Sequence, residues 1–225
     1  MIAAILFALV FRPWLLPQAN TQPRVSATDT AYLSCTTWTG KDWTAFTARS
    51  AKTPTVESPN GFRAYAEVKV AVKGGSCENT TTLYVAPGAE QAFRVAYTKL
   101  PSVSDGNGIH VIGWSPSGDK LLAEVNLWKY ETDRGYGHIA VVYDSSTDST
   151  KEVPALNETL SRHFGPNCEF ELALEEWKSN EQLLVKISKS PEDESYKQHF
   201  CVEQPRMFVF DLQTKRLFTD QEHGR

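Results

Sequence analysis

The stretch IHVIGWSPSGDKLLAEVNLWKYETDRGYGHIAVVYDSSTDSTKEV, residues 109–153, predicts one antiparallel sheet of four strands in chain order. Its first apolar run ends at SPSGD, residues 115–119, which suits a tight turn because proline presets φ and glycine accepts a positive φ. Two later strands are predicted at 138–143 and 150–153, after polar turns. Before these two strands, residues 120–128 alternate with the period of a strand. Leu121, Ala123, Val125 and Leu127 share one face, and Leu122, Glu124 and Asn126 share the other.

The same pattern recurs further along the chain. Trp114 is followed by a turn and the strand KLLAEV, and Trp177 is followed by a turn and QLLVKI. The strand VVYD ends at Asp144, FVFD ends at Asp211, and LYVA at 83–86 matches them more loosely. Self-similarity of this kind, with four strands per unit, predicts repeated blade-like sheets.

The repeat divides the chain into three units, which we expect at about residues 31–98, 109–153 and 168–219 of a single domain covering 28–225. Residues 101–108 are polar, contain two glycines, and are predicted to be a linker between the first two units. Residues 74–79 are predicted to be a loop, and 154–167 an irregular segment with one helical turn near Leu156. The run at 171–177 suits a strand, although LALEE also suits a helix.

The motif GWSPSGDKLL at 113–122 resembles the blades of TolB-type β-propellers, and those that precede the catalytic domain of prolyl-oligopeptidase-like enzymes. In those families Trp-Ser-Pro-Asp-Gly-Lys precedes an apolar strand, and a later strand ends in an aspartate, the position of Asp144 and Asp211. The resemblance covers one repeat well, whereas WKSN at 177–180 has lost the proline and glycine. It implies an all-β fold with antiparallel blade-like sheets, in an incomplete or small β-propeller.

Three units are fewer than the four or more blades with which propellers usually close. The alternatives are an incomplete ring, a ring closed by another chain, and a twisted β-sandwich. Because an exposed sheet edge needs covering, we also expect self-association.

Residues 1–27 are predicted to be a signal segment. The apolar run from Ile2 to Phe11 is too short to span a bilayer and has the length of a signal-peptide core. No lysine or arginine precedes it and Arg12 interrupts its end, so a buried first strand or short helix is the alternative. We expect export to the periplasm or the extracellular space, with membrane contact only through an uncleaved segment.

The four cysteines agree with export. Widely spaced and even in number, without a Cys-x-x-Cys pair, they indicate two disulfides rather than zinc ligands. Three connectivities are open, and equivalent positions in the first and last units favour Cys35–Cys77 and Cys168–Cys201. Buried free thiols of an intracellular protein are the alternative.

Composition and motifs exclude several functions. With a net charge of -4 and scattered lysines and arginines, the sequence has no basic cluster of the kind that binds nucleic acid. Ser115 is a near miss for the nucleophile elbow Gly-x-Ser-x-Gly, but Pro116 would withhold a backbone N–H from an oxyanion hole. The five histidines lack metal-ligand spacing. We therefore expect no catalytic residue, no metal and no cofactor.

The sequence predicts a non-catalytic exported protein that binds a protein partner through its blade loops. Trp38 and Trp43 flank a polar hairpin tip and are the candidate ligand-binding residues, whereas Trp114 and Trp177 are explained by packing. The alternative is a carbohydrate- or peptide-processing enzyme, or its accessory domain, with Trp38 and Trp43 in a cleft.

Overall fold

A computed structural model of the chain describes residues 30–31, 33, 37–38, 43–44, 49–73, 76–100, 102, 105–130, 135–190 and 199–220. Over these residues the fold is all-β apart from one helix, which confirms the predicted class. Three antiparallel sheets of four or five strands are present in the described part, and none closes into a barrel. The predicted signal segment at 1–27 lies outside the described residues.

Three short strands precede the first sheet. The pairing of β2 with β3 confirms the hairpin predicted around residues 38–43, with Trp38 opposite Trp43. These strands are β1 (Thr30–Ala31), β2 (Thr37–Trp38) and β3 (Trp43–Thr44).

The first sheet has the order β4-β6-β7-β8, with β5 also paired to β6. The loop predicted at 74–79 is wrong for residues 76–79, which begin a long strand. The polar Asn79 and Thr81 disguise that strand in the sequence, yet both are fully buried, and Asn79 Nδ2 donates to the carbonyl oxygen of Leu33 at 2.6 Å. The strands are β4 (Arg49–Lys52), β5 (Val56–Glu57), β6 (Arg63–Lys73), β7 (Ser76–Ala86) and β8 (Arg94–Lys99).

The second sheet has the order β1-β9-β10-β11-β12. The linker predicted at 101–108 is wrong from Asp105 onward, because these residues start β9. Gly106 and Gly108 occur in this strand because the Trp128 indole lies over them, and a Cβ on Gly106 would come within 2.3 Å of that ring. The strands are β9 (Asp105–Trp114), β10 (Lys120–Lys129), β11 (Gly135–Asp144) and β12 (Ser149–Glu152).

The third sheet follows the helix and has the order β13-β14-β15-β16. Residues 171–177 are strand, and the predicted single helical turn is instead an eleven-residue helix. Pro154 suits the first turn of this helix. Leu156 and Leu160, four residues apart, lie on its buried side. The elements are α1 (Pro154–Phe164), β13 (Glu171–Ser179), β14 (Gln182–Ser188), β15 (Arg206–Asp211) and β16 (Arg216–Thr219).

The three sheets share one register at the end of their third strand. Lys120 lies opposite Asp144 in the second sheet, and Gln182 lies opposite Asp211 in the third. In the first sheet Arg63 lies opposite Ala86, at the position that the loose alignment of LYVA assigns. The aligned sequence units therefore occupy equivalent places in their sheets.

Two apolar cores separate the three sheets. Successive side chains of β10 point into different cores. Leu121 lies in the core shared with the first sheet, and Leu122 lies in the core shared with the third sheet and α1. Both leucines are fully buried, which contributes roughly 1.5–3 kcal/mol for each side chain. The second sheet is thus the middle layer of the stack.

A disulfide links the segment before β13 to the connection between β14 and β15. The predicted bond between Cys168 and Cys201 is present, with an S–S distance of 2.09 Å. Beside it, Glu169 and Phe200 form a parallel β-bridge. The predicted bond between Cys35 and Cys77 lies outside the described residues, although the backbone of Cys77 pairs with Val72.

Candidate interaction cleft

A cleft of about 430 Å³ lies where the second sheet, the start of α1 and the turns of the third sheet meet. We call it the inter-sheet cleft. Val142, Ala155 and Leu212 line its apolar part and also pack against the core between the two sheets. Its charged border comprises Lys120, Asp144, Lys151, Glu152, Glu181 and Lys215.

An ion pair between Lys120 and Glu181 lies in the lining of the inter-sheet cleft. The Lys120 side chain is 15% exposed, so this cation is largely removed from solvent. Beside the pair, the backbone N–H of Ser117 donates to Oδ1 of Asn180 at 2.8 Å. These contacts fasten the turn after β9 to the turn between β13 and β14.

The remaining acids of the cleft have partners on the second sheet or the first. Oε1 of Glu152 accepts hydrogen bonds from the Tyr97 hydroxyl at 2.6 Å and from Lys99 Nζ at 3.4 Å. Burial and this carboxylate raise the pKa of Tyr97, so its hydroxyl remains a donor. Oδ1 of Asp144 accepts from the backbone N–H and the hydroxyl of Ser146, at 2.9 and 2.6 Å.

Two lysines of the border differ from these acids, because no carboxylate of the described residues forms an ion pair with Lys151 or Lys215. Lys215 has a positive φ of 58°, and its Nζ donates to the carbonyl oxygen of Leu212. The equivalent residue of the second sheet, Asp148, also has a positive φ, of 50°. Asp148 instead pairs with Arg94 of the first sheet, so the repeat places opposite charges at one backbone position.

A second depression, of about 310 Å³, lies beside the cleft and shares Lys215 with it. We call it the basic pocket. Arg162 and His163, from the last turn of α1, line it together with Arg216. The His163 ring packs edge-on against Phe164 and Phe208, with centroids 4.7 and 5.6 Å apart. Cationic side chains are favoured at this end of a helix because the backbone carbonyls there are negative.

The cleft and the basic pocket together form a positive surface on a chain of net charge -4. Its exposed cations are Lys151, Lys215, Arg162 and Arg216, from β12, α1 and the β15–β16 hairpin. A locally positive surface on an acidic protein attracts anionic groups. Sequence reasoning missed these residues, because only folding brings the segments at 151, 162 and 215 together.

The tryptophans singled out from the sequence have different outcomes. Trp114 and Trp177 are 1% and 9% exposed, which confirms that they pack in the sheets. Trp128 is also buried. The backbones of Trp38 and Trp43 are paired, but their side chains lie outside the described residues, so ligand binding by them stays a prediction.

The serine of the near-miss elbow belongs to a structural turn, as predicted. Ser115 is fully buried, and its Oγ donates to Oδ1 of Asp119 at 2.9 Å while accepting from the backbone N–H of Lys120 at 3.2 Å. The backbone N–H of Gly118, at a φ of +77°, donates to the carbonyl oxygen of Ser115 at 2.8 Å. Every polar atom of Ser115 therefore serves the turn.

A buried carboxylate lies on the face of the second sheet that carries Leu122. Glu124 is 5% exposed, and its Oε1 lies 3.1 Å from Nδ1 of His138. His110 is opposite Glu124 on β9. Within the described ranges, no group of three or more His, Cys, Asp or Glu residues is arranged to hold a metal ion.

No protein-family model and no curated protein matches this chain. Among the described residues, no helix combines the length and the apolar character needed to cross a membrane.

Proposed function

We propose that this chain is an exported, non-catalytic protein with TolB-like propeller repeats that binds a protein partner, and that the partner inserts an acidic segment into the inter-sheet cleft. The observation that carries the proposal is the imbalance of charge in the cleft and the basic pocket. The acids Asp144, Glu152 and Glu181 have intramolecular partners, whereas Lys151 and Lys215 have no carboxylate partner among the described residues.

The shape of the cleft suits a peptide segment that is both apolar and acidic. A volume of about 430 Å³ is in the range of ligand-binding clefts, which combine apolar walls with a few placed polar groups. Apolar side chains of the segment would contact Val142 and Leu212, while its carboxylates would approach Lys151 and Lys215. Charges at the border of such an interface contribute mainly to the rate of association and to specificity.

Two features support export and propeller repeats. The disulfide between Cys168 and Cys201 is typical of proteins from oxidising compartments. Each sheet contains consecutive antiparallel strands with matching register at the end of the third strand, and the motif at residues 113–122 forms a tight turn before an apolar strand; this repetition supports propeller repeats.

The proposal is tested with a fluorescent peptide of alternating glutamate and leucine, titrated with the full chain. A peptide of alternating lysine and leucine is the charge-reversed control. We expect the glutamate peptide to bind and the lysine peptide not to bind. The affinity for the glutamate peptide should fall as the salt concentration increases. In the double variant Lys151→Glu, Lys215→Glu, Kd should rise at least about tenfold, which corresponds to about 1.4 kcal/mol.

Lys186→Glu is the control, since it makes a single Lys→Glu change, half the charge change of the double variant, on the other face of the third sheet. It should leave Kd unchanged. Equal binding of both peptides, or an unchanged Kd in the double variant, would overturn the proposal.

A further inference from the structure

We propose that Asn60 is a site of spontaneous deamidation, and that its conversion to aspartate or isoaspartate breaks a contact between the first and second sheets. The proposal concerns the turn between β5 and β6 and is independent of the inter-sheet cleft. It rests on the exposure of Asn60, on the glycine that follows it and on the hydrogen bond that its side-chain amide donates.

Two asparagines of this chain precede a glycine, Asn60 and Asn107. Such pairs are the most prone to deamidation, because glycine has no side chain to keep its backbone nitrogen away from the side-chain amide carbon of the asparagine. Asn60 is exposed and Gly61 is half-buried. A Cβ added to Gly61 would meet no atom within 4 Å, so this side of the glycine is open.

The fold protects the second pair. Asn107 is 2% exposed in β9, and its Nδ2 donates to the carbonyl oxygen of Asn79 at 3.1 Å. Gly108 pairs with Asn126 in the β-ladder, and a Cβ added to it would lie 3.2 Å from the Trp128 ring. Water and hydroxide therefore reach Asn107 only when the second sheet opens.

The reaction needs no enzyme and no reactant except water and hydroxide. Hydroxide removes the proton from the backbone nitrogen of Gly61, which attacks the side-chain carbonyl carbon of Asn60. The new C–N bond closes a succinimide ring, and the original C–N bond of the amide breaks. Ammonia leaves with a proton taken from water, which regenerates hydroxide. Water then opens either C–N bond of the ring and gives aspartate or isoaspartate.

Hydrogen bonds within the turn control the rate of this reaction. The backbone N–H of Gly61 donates to the carbonyl oxygen of Ser58 at 2.9 Å, and that of Asn60 donates to Ser58 Oγ at 3.2 Å. The nitrogen of Gly61 becomes a nucleophile only after the first of these bonds opens. We therefore expect deamidation to be slower in the folded chain than in the unfolded chain, and within the folded chain to be faster at Asn60 than at Asn107.

Asn60 joins the first sheet to the second. Its Nδ2 donates to the carbonyl oxygen of Ser117 at 2.8 Å, and the backbone N–H of Ser117 donates to Asn180 in the third sheet. An aspartate at position 60 has no donor for that carbonyl and adds a negative charge beside it. Isoaspartate also inserts a methylene group into the main chain just before β6, which pairs with β4, β5 and β7. Either product should therefore weaken the contact between the sheets.

Incubation of the folded full chain at mildly alkaline pH tests the proposal. Peptide mass spectrometry follows the mass gain at each asparagine, and a protein isoaspartyl methyltransferase labels isoaspartate. We expect the product to accumulate at Asn60 before any other asparagine, while Asn107 stays intact. In guanidinium, where the chain is unfolded, both Asn-Gly pairs should react at similar rates. Asn60→Ser, which copies Ser117 of the equivalent turn, should lack the early product.

The stability of Asn60→Asp tests the consequence for the sheets. This variant should raise the equilibrium constant of urea unfolding about fivefold or more, because it loses the donor to Ser117 and gains a charge there. An intact Asn60 after incubation of the folded chain, modification of Asn107 at the same rate, or equal stability of Asn60→Asp and the wild type would overturn the proposal. Circular dichroism confirms that each variant is folded.

Discussion

The indole nitrogen of Trp177 donates a hydrogen bond of 3.0 Å to the carbonyl oxygen of Gly113. Gly113 immediately precedes Trp114, the residue of the second sheet that is equivalent to Trp177. Trp114 in turn packs on Phe62 of the first-sheet region, with ring centroids 5.8 Å apart. The tryptophans of the second and third units therefore each contact the unit before them, and the repeated residue holds neighbouring sheets together.

Replacing Trp177 tests this role. Trp177→Phe keeps most of the apolar contact but removes the donor to Gly113, so we expect a loss of about 1 kcal/mol in the free energy of unfolding. Trp177→Ala also removes the packing and should cost about 3–5 kcal/mol. Urea unfolding measures both. The exposed Val95→Ala is the control and should change stability by less than about 0.5 kcal/mol. Full stability in Trp177→Phe would show that the hydrogen bond contributes nothing.

Alternation and turn chemistry predict most strands of this fold, but they fail where a strand carries atypical residues. Gly106 and Gly108 indicate a linker, and only the indole of Trp128 explains them. The polar Asn79 suggests a loop in the sequence, whereas in the structure it is buried and its Nδ2 donates to the carbonyl oxygen of Leu33, which is 46 residues away. In both cases the deciding partner is far away in sequence, so no local pattern contains it.

Gly106→Ala tests the explanation for the strand glycines. The added methyl group would overlap the Trp128 ring at 2.3 Å, so the indole or the strand must move, at a cost of about 1–3 kcal/mol. Gly88→Ala is the matched control, since its Cβ would meet only Gln91 Nε2 at 3.9 Å. Thermal unfolding should show a lower Tm for the first variant alone. Equal Tm values for both would mean that the ring does not require glycine.

The disulfide between Cys168 and Cys201 should contribute substantially to stability. The two cysteines are 33 residues apart, and closing a loop of that length in the unfolded chain is worth about 3–4 kcal/mol. We expect the double variant Cys168→Ser, Cys201→Ser to lose about that much in urea unfolding. Adding a reductant should destabilise the wild type further than it destabilises this variant. A variant as stable as the wild type would contradict the assignment of a stabilising role.

The inter-sheet cleft was less predictable than the sheets. The exposed cations of the cleft and of the neighbouring basic pocket come from β12, from the last turn of α1 and from the β15–β16 turn, and in the sequence they are scattered among other charges. The repeat does predict one part of it, because Lys215 follows Asp211 at the same spacing at which Asp148 follows Asp144. The repeat therefore predicts the backbone position of Lys215. It does not predict the charge there, because the equivalent Asp148 is acidic and has a different partner.

Asp119 should make the protein less stable in acid. The hydroxyls of Ser117 and Ser115 donate to its Oδ1 and hold the pKa of this carboxyl below its ordinary value of 3.8. The unfolded chain therefore binds the proton first as the pH falls. The contribution of Asp119 is fully present above its unfolded pKa and is lost as the pH falls through its folded pKa. Urea unfolding between about pH 5 and about pH 2 should show a smaller decline in Asp119→Asn than in the wild type.

Ser117→Ala separates this effect from the general acid sensitivity of the chain. It removes the donor that lowers the pKa of Asp119 most, so the decline contributed by Asp119 should shrink and end at a higher pH than in the wild type. Ser161→Ala changes an exposed serine of α1 and should keep the wild-type pH profile. If Ser117→Ala and Ser161→Ala gave the same profile, the hydrogen bonds of the turn would not account for the acid dependence. The turn would then be held by its backbone hydrogen bonds and by Gly118, whose positive φ any other residue would adopt at a cost.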